Sequence, residues 1–379
     1  MTNKKIILVA GEASGDMHAA NLVKYLHQLR PELEISAMGG DALKKQNVEI
    51  LVDNRELAVV GLIEVIKHYP DIRRALKTMQ QLLKEKNPDL LILVDYVEFN
   101  LKLAETAKKL GIKVLFYISP QVWAWRPKRV KRIGKLVDMM AVIFPFETEF
   151  YERHHIPVRY VGNPLVGHVK AKRSLEECYR DYEINPEHPV IGLLPGSRRS
   201  EIKNLFALFM QTAKTLQAKI PDAQFLLPLA PGLSESDLTH LIQNKPDNLK
   251  IITDGKTYDV MQSCDVILTA SGTATLETAL MGVPMTLAYR TSPVTYAIFR
   301  RMLKIPYIGL VNIVAGKKVV QEFIQHEATA DILSNELIRL LTDKNYREKI
   351  ITELDKVKEK LGSENGSKNV AKLALELLS

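Results

Sequence analysis

Cysteine is almost missing from this chain. Only Cys178 and Cys264 occur among 379 residues. That excludes a disulfide framework and a cysteine-built metal site, and it fits a reducing compartment. No window offers the roughly 18 apolar residues a membrane-spanning helix needs. The apolar run in MTNKKIILVAGEASGD is cut by Gly11 and Glu12, too early for a secretory leader. The expectation is a soluble cytoplasmic protein, at most attached to a membrane surface. Repeats and low-complexity tracts are absent, and so are a Walker loop, His-Glu-x-x-His and an Asp-x-Asp nucleotide–metal motif. His154-His155 stands alone and reads as surface. A required metal is disfavoured, so phosphate charge should be met by arginine and helix dipoles. The missing G-x-G-x-x-G argues against a nicotinamide oxidoreductase.

The length suits two domains, each with its own core. The net charge of +8 favours an anionic partner: a phosphorylated substrate, a nucleic acid or an acidic membrane. Short apolar, β-branched runs recur at 5–10, 33–38, 89–94, 113–118, 139–144 and 158–161. A second series lies at 189–195, 223–229, 249–253, 265–270 and 283–289. Helical patterns separate most of them, at about 16–29, 61–86, 99–110 and 126–136, then 199–218, 234–244, 256–263, 272–281 and 293–303. Runs apolar throughout and separated by helices predict parallel sheets covered on both faces. The expected fold is therefore α/β, with two doubly wound domains facing a cleft. The boundary falls within 165–185, which gives 1–170, 171–330 and a helical tail, 331–379.

In such sheets ligands bind beyond the carboxyl ends of the strands, so the residues that follow each run carry the information. In VAGEASGD, Gly11 and Gly15 permit a tight turn, and Ser14 or Asp16 can cap the next helix. In LLILVDYVEFN the apolar run ends at Asp95, a carboxylate aimed at the cleft, while Asn100 is expected to cap the following helix. LLPGSRRSEIK places Arg198 beside a helix start, where a guanidinium grips phosphate oxygens. In TASGTATLETALMGVP, the small residues Ser271, Gly272, Thr273, Ala274 and Thr275 open a helix. Glu277 above them suits a ribose diol, so the set suggests a nucleotide diphosphate site. SPQVWAWRPKRVKRIGK joins Trp123 and Trp125 to six basic residues starting at Arg126, a setting for sugar stacking beside phosphates. A core plug and a solvated face explain the same residues more plainly. Finally, 59–77 has too many apolar residues for one helical stripe. Ile63, Val65, Ile66, Tyr69, Ile72 and Leu76 alternate with Arg73 and Arg74, as in an interfacial segment or a buried helix.

Taken in order, VAGEASGD, LVDYVEFN, ISPQVWAWRPKRV, LPGSRRSEI, ASGTATLE and IGLVNIVAG resemble the lipid-A-disaccharide synthase family over nearly the whole chain. The resemblance implies a GT-B fold and inverting transfer of a sugar from UDP-2,3-diacylglucosamine to 2,3-diacylglucosamine 1-phosphate (lipid X), with release of UDP. It implies no cofactor, an anionic inner-membrane surface as partner, and a tail that returns to the first domain or exchanges in a homodimer. By motif, Asp95 becomes the general base, and Arg198 meets the diphosphate. Gly272 to Thr275 form the phosphate-binding helix tip, Glu277 meets the ribose, and Asn312 belongs to the donor site. The acceptor side takes Gly11, Ser14, Gly15, Asp16, Trp123 and Arg126. Where the family usually has Asp-Ala-Pro-Asp, this chain has Asp95-Tyr96-Val97-Glu98, so no role passes to Glu98. The competing readings are another GT-B enzyme of UDP-N-acetylglucosamine (a peptidoglycan-precursor transferase or a 2-epimerase) and a non-catalytic nucleic-acid binder.

Overall fold

The computed structural model describes residues 3–56, 69–125, 129–230, 238, 245–302, 305–362 and 366–379. It divides into two compact units, Met1–Val166 with Ser363–Ser379, and Gly167–Gly362. The division falls at 166/167, and the tail expected as one piece is shared between the units.

The first unit holds β1 (Lys5–Ala10), β2 (Glu34–Gly39), β3 (Glu49–Asp53), β4 (Leu90–Val94), β5 (Lys113–Tyr117), β6 (Met139–Val142) and β7 (Val158–Tyr160). They pair in the order β3-β2-β1-β4-β5-β6-β7, all parallel. Successive side chains of a strand point to opposite faces, and β4 shows the result. Leu90, Ile92 and Val94 enter one hydrophobic layer, and Leu91 and Leu93 enter the other. A strand buried on both faces needs no polar alternation. The helix Gly366–Leu378 completes the first layer, where Val370, Leu373 and Ala374 join Leu22 and Leu26 of the helix Ala13–Leu29. Gly366 is required there, because a Cβ would lie 2.6 Å from the Gly162 carbonyl oxygen.

The second unit repeats the pattern. Its strands are β8 (Val190–Leu194), β9 (Gln224–Pro228), β10 (Leu249–Ile252), β11 (Val266–Ala270), β12 (Met285–Tyr289) and β13 (Glu322–Ile324), in the order β10-β9-β8-β11-β12-β13. All are parallel. In both sheets the chain builds outward from the middle, returns and builds the other way. That leaves a switch point between β1 and β4, and another between β8 and β11. The helices Ala330–Thr342 and Lys344–Lys360 belong to this unit.

The helix Tyr69–Lys86 corrects part of the interfacial expectation. Ala75, Met79 and Leu83 are buried at a spacing of four, and Ile72 and Leu76 pack onto the same cluster. These two face the core, because only one stripe of the helix can meet the sheet. Tyr69, Arg73 and Arg74 are exposed, and Ile63, Val65 and Ile66 lie outside the described residues. Ile72→Ser is expected to lower unfolding stability by about 1–3 kcal/mol, whereas Arg73→Gln stays within about 0.5 kcal/mol of the parent. Urea titration measures both, and equal midpoints would contradict the packing.

Candidate active site and nucleotide pocket

Asp95 follows β4 at the first switch point. It and Tyr96 take left-handed backbone, with φ of 49° and 39°, at a cost of about 1–3 kcal/mol each for non-glycine residues. Internal bonds hold this turn. Asp95 N–H donates to the Tyr117 carbonyl at 3.2 Å. The buried Asn100 amide donates to the carbonyls of Val94 (3.3 Å) and Asp95 (2.7 Å). Asn100 therefore does not cap the helix Val97–Lys109; it sits inside it and fastens it to the strand end. The Tyr96 ring covers Gly11 so closely that a Cβ there would lie 2.2 Å from Cδ1. The loops after β1 and β4 are thus fitted together. Burial pushes the Asp95 carboxyl from 3.8 up to about 6, and the Glu12 carboxylate adds to the shift. Such a group is poised to take a proton near neutral pH.

The other first-unit expectations divide. Ser14 and Gly15 lie in the first turn of the helix Ala13–Leu29, Ser14 exposed and Gly15 against Val94. Neither Ser14 nor Asp16 caps that helix. Asp16 is buried and accepts from Gly40 N–H (2.7 Å) and Ala42 N–H (2.8 Å). Both carboxylate oxygens are thereby engaged in joining the loop after β1 to the loop after β2. Trp123 does carry a polar handle: its Nε1–H donates to Glu147 at 3.0 Å, and its ring meets Phe146 edge-on. Burial raises the Glu147 carboxyl to about 7 against donors that include Trp123, Phe144 N–H and Ser119. Arg126 lies outside the described residues. The rest of the basic run is partly neutralised, since Arg129 pairs with Glu98 and Arg132 with Glu105.

The second switch point opens a pocket of about 560 Å³ within the second unit, enough for a nucleotide sugar. On one side lie Gly196, Ser197 and Arg198, after β8; on the other lie Ser271, Gly272, Thr273, Ala274 and Glu277, after β11. Gly196 has φ of 119°, and a Cβ there would strike Glu201, whose Oε2 accepts from Ser197 N–H (2.9 Å) and Arg198 N–H (3.2 Å). That reach-back fixes the turn and leaves the Arg198 side chain exposed at the start of the helix Arg199–Lys219. A Cβ on Gly272 would meet nothing within 4 Å, so its backbone is open to a ligand.

Glu277 Oε1 accepts from Tyr258 Oη at 2.8 Å, and burial pushes its carboxyl up against that bond. Two expectations are corrected here. Thr275 is fully buried and its hydroxyl donates to the Gly272 carbonyl, so it supports the turn from behind. Asn312 is fully buried too. Its Nδ2 donates to Val320 O and Glu322 Oε1, and its Oδ1 accepts from Val319 and Val320 N–H. That exhausts the amide's capacity, and Asn312 ties its helix to β13 instead of offering a group to a ligand. Sequence reasoning missed Glu12, Glu147, Glu201 and Tyr258. Glu12 and Glu201 lie inside motifs already singled out, but only the folded turn shows what they touch.

Solved structures share this architecture, the GT-B fold. UDP-N-acetylglucosamine 2-epimerase from Neisseria meningitidis, solved with UDP-GlcNAc, superposes with a TM-score of 0.67 at 13% identity, covering 99% of this chain and 100% of that one. The glycotransferase of kitacinnamycin gives 0.67 at 15% identity over the whole of both chains. At such identities the likeness concerns the fold alone. The family follows from sequence: the lipid-A-disaccharide synthetase model matches residues 6–376. The lipid-A-disaccharide synthase of Geobacter sulfurreducens is 48% identical over 377 residues, which is 100% of this chain and 98% of the relative. The chain belongs to the lipid-A-disaccharide synthetase family and is a glycosyltransferase of lipid A biosynthesis.

The raised Asp95 carboxyl makes a prediction about stability. The fold holds this proton more tightly than the unfolded chain does, so stability falls as pH rises from about 4 through about 6. Asp95→Asn removes that penalty. Its melting temperature should exceed the parent's at pH 8, with the gap narrowing toward pH 4. Scanning calorimetry at the two pH values measures this, and a constant gap would contradict it.

Proposed function

We propose that this chain transfers 2,3-diacylglucosamine from its UDP conjugate to the 6-hydroxyl of lipid X, in a single displacement that inverts the anomeric carbon. Asp95 takes the hydroxyl proton, the acceptor oxygen bonds to C1 of the donor, and the bond from C1 to the diphosphate breaks with release of UDP. The observation that carries this reading is that a carboxyl raised toward neutrality by burial and by Glu12 stands at one switch point, while an arginine-edged nucleotide pocket fills the other. Arg198 is assigned to the diphosphate, the backbone from Ser271 to Ala274 to the phosphate side, and Glu277 with Tyr258 to the ribose. Glu277 keeps its second oxygen for a sugar hydroxyl, since the first is bonded to Tyr258. Gly11, Ser14 and Trp123 are assigned to the acceptor side. Family membership over nearly the whole chain favours this reaction over another enzyme of UDP-N-acetylglucosamine.

A positioned base contributes about 10²–10⁴-fold in rate. Asp95→Asn should lose turnover by that order while binding UDP as the parent does. In the parent, kcat/KM should rise through about pH 6 and level off above it. Mass spectrometry of the disaccharide 1-phosphate formed from the two acylated substrates reads the reaction. Near-normal turnover in Asp95→Asn removes Asp95 from its role.

Acylated substrates bring the enzyme to a lipid surface. Among the described residues no helix is long and apolar enough to cross a membrane. The exposed Tyr69, Arg73 and Arg74 suit attachment to the anionic inner face of the inner membrane. Replacing Arg73 and Arg74 by Gln should weaken sedimentation with phosphatidylglycerol vesicles by about thirtyfold, at roughly 1 kcal/mol per basic residue, and leave binding to neutral vesicles unchanged. Equal sedimentation of parent and variant would remove this face from the attachment.

A further inference from the structure

The pocket of the second unit has a wall that neither switch-point loop supplies. Lys170 and Lys172, from the segment that opens this unit, line it together with Lys256 and Asp259. This segment forms no helix or strand before the helix Leu175–Asp181, yet it is anchored. Asp259, 1% exposed, accepts from Lys172 N–H at 2.6 Å, from Arg173 N–H at 3.3 Å and from Arg173 Nε at 3.0 Å. Burial alone would raise the Asp259 carboxyl, but these donors hold it below its ordinary range. The Arg173 guanidinium also reaches Asp181 and Asp254, each at 2.9 Å, and packs over the Tyr182 ring. Removing one partner from a buried ion pair is strongly destabilising, so the anchor fixes the path of the chain at Lys172.

The charges around the pocket are unevenly matched. Asp259 is satisfied by Arg173 and two backbone donors, and Lys256 has Asp254 at 3.8 Å. Glu201 is bonded to the Ser197 and Arg198 N–H groups. Among the described residues, no carboxylate lies within ion-pair distance of the Lys170 or Lys172 ammonium groups. A rigid anchor that delivers two unmatched cations to the rim of a nucleotide pocket calls for an anion. The segment's polar, charged sequence is by itself explained by solvation, and only the Arg173–Asp259 anchor places its lysines.

We propose that Lys170 and Lys172 are phosphate-binding residues of the donor pocket, which meet the diphosphate of the nucleoside diphosphate sugar together with Arg198. This assignment rests on the reading of the pocket as the UDP site. It adds a recognition element outside the two motifs that follow β8 and β11. It also makes the segment that opens the second unit part of the donor site.

The test is calorimetric titration of the full chain with UDP and, separately, with uridine, at low and moderate salt. The proteins are the parent, the double variant Lys170→Gln with Lys172→Gln, and Arg198→Ala. An exposed charge pair is worth up to about fivefold in affinity. The double variant should therefore bind UDP between about five and thirty times more weakly, with a flatter salt dependence and uridine affinity within about twofold of the parent. If the double variant binds UDP like the parent while Arg198→Ala does not, the pocket reading stands and the lysines have no role in it. If it loses UDP and uridine equally, the lysines shape the pocket instead of meeting phosphate, and the proposal fails. If all three proteins bind UDP alike, the donor-pocket reading itself falls.

Discussion

Parallel pairing constrains everything else in this molecule. Every strand pair in both sheets is parallel, so each strand must be followed by a crossover on one face or the other, and both faces become covered. The interior then has no place for a charge without partners, and the carboxyl edges of the sheets are where polar groups can be offered to a ligand. Within each edge, one position differs. Where the strand order reverses, the two following segments leave in opposite directions and open a crevice between them. Asp95 with Gly11, and Arg198 with Ser271 to Thr273, stand at these two positions. The fold thus decides where an acid or a phosphate can be met before any particular side chain decides which.

The carboxylates show how finely that freedom is used. Asp16, Asp259 and Glu322 are buried and surrounded by donors: backbone N–H groups for Asp16, a guanidinium and N–H groups for Asp259, and an amide and N–H groups for Glu322. Their charge holds loops together. Asp95 has only the Tyr96 backbone N–H to set against its burial and against another acid, Glu12, so it keeps its proton to about pH 6. The difference is one of neighbours, not of residue type. A half-buried carboxyl with too few donors costs stability, which fits a group retained for its reactivity. Asp95 also sits in left-handed backbone that Asn100 and the Tyr117 carbonyl hold in place, so both its charge and its conformation are paid for by the surrounding core.

Much of this was legible in the chain itself. LLILV and VILTA are apolar throughout because both faces are buried, and that signal located the inner strands within a residue or two. The short strands β3, EILVD, and β13, EFI, escaped notice because glutamate and aspartate at their ends break the apolar run that marked the others. Asp95, Arg198 and the Ser271–Ala274 turn could be read as site residues because each follows an apolar run. Asn312 and Thr275 could not be told from ligand contacts, since an amide or hydroxyl that braces a turn looks in sequence like one that binds. The same limit applies to Asn100, whose position after the strand suggested a cap while its amide reaches back to the strand end. Period and composition report burial; they do not report which of several nearby donors a side chain will choose.

Fold and family answer different questions here. An epimerase at 13% identity has the same architecture, because parallel sheets with reversed strand order are satisfied by any apolar runs of suitable length. What separates the chemistries is a small set of groups at the switch points, together with surfaces outside the sheets. An epimerase and a transferase can share a nucleotide pocket, since both hold a nucleoside diphosphate sugar. Transfer adds a requirement that epimerisation lacks: a second substrate whose hydroxyl must be deprotonated. The role proposed for Asp95, whose carboxyl burial and Glu12 raise toward neutrality, would meet that requirement. The assignment to glycosyl transfer therefore rests on sequence identity over the whole chain, which the shared fold could not supply.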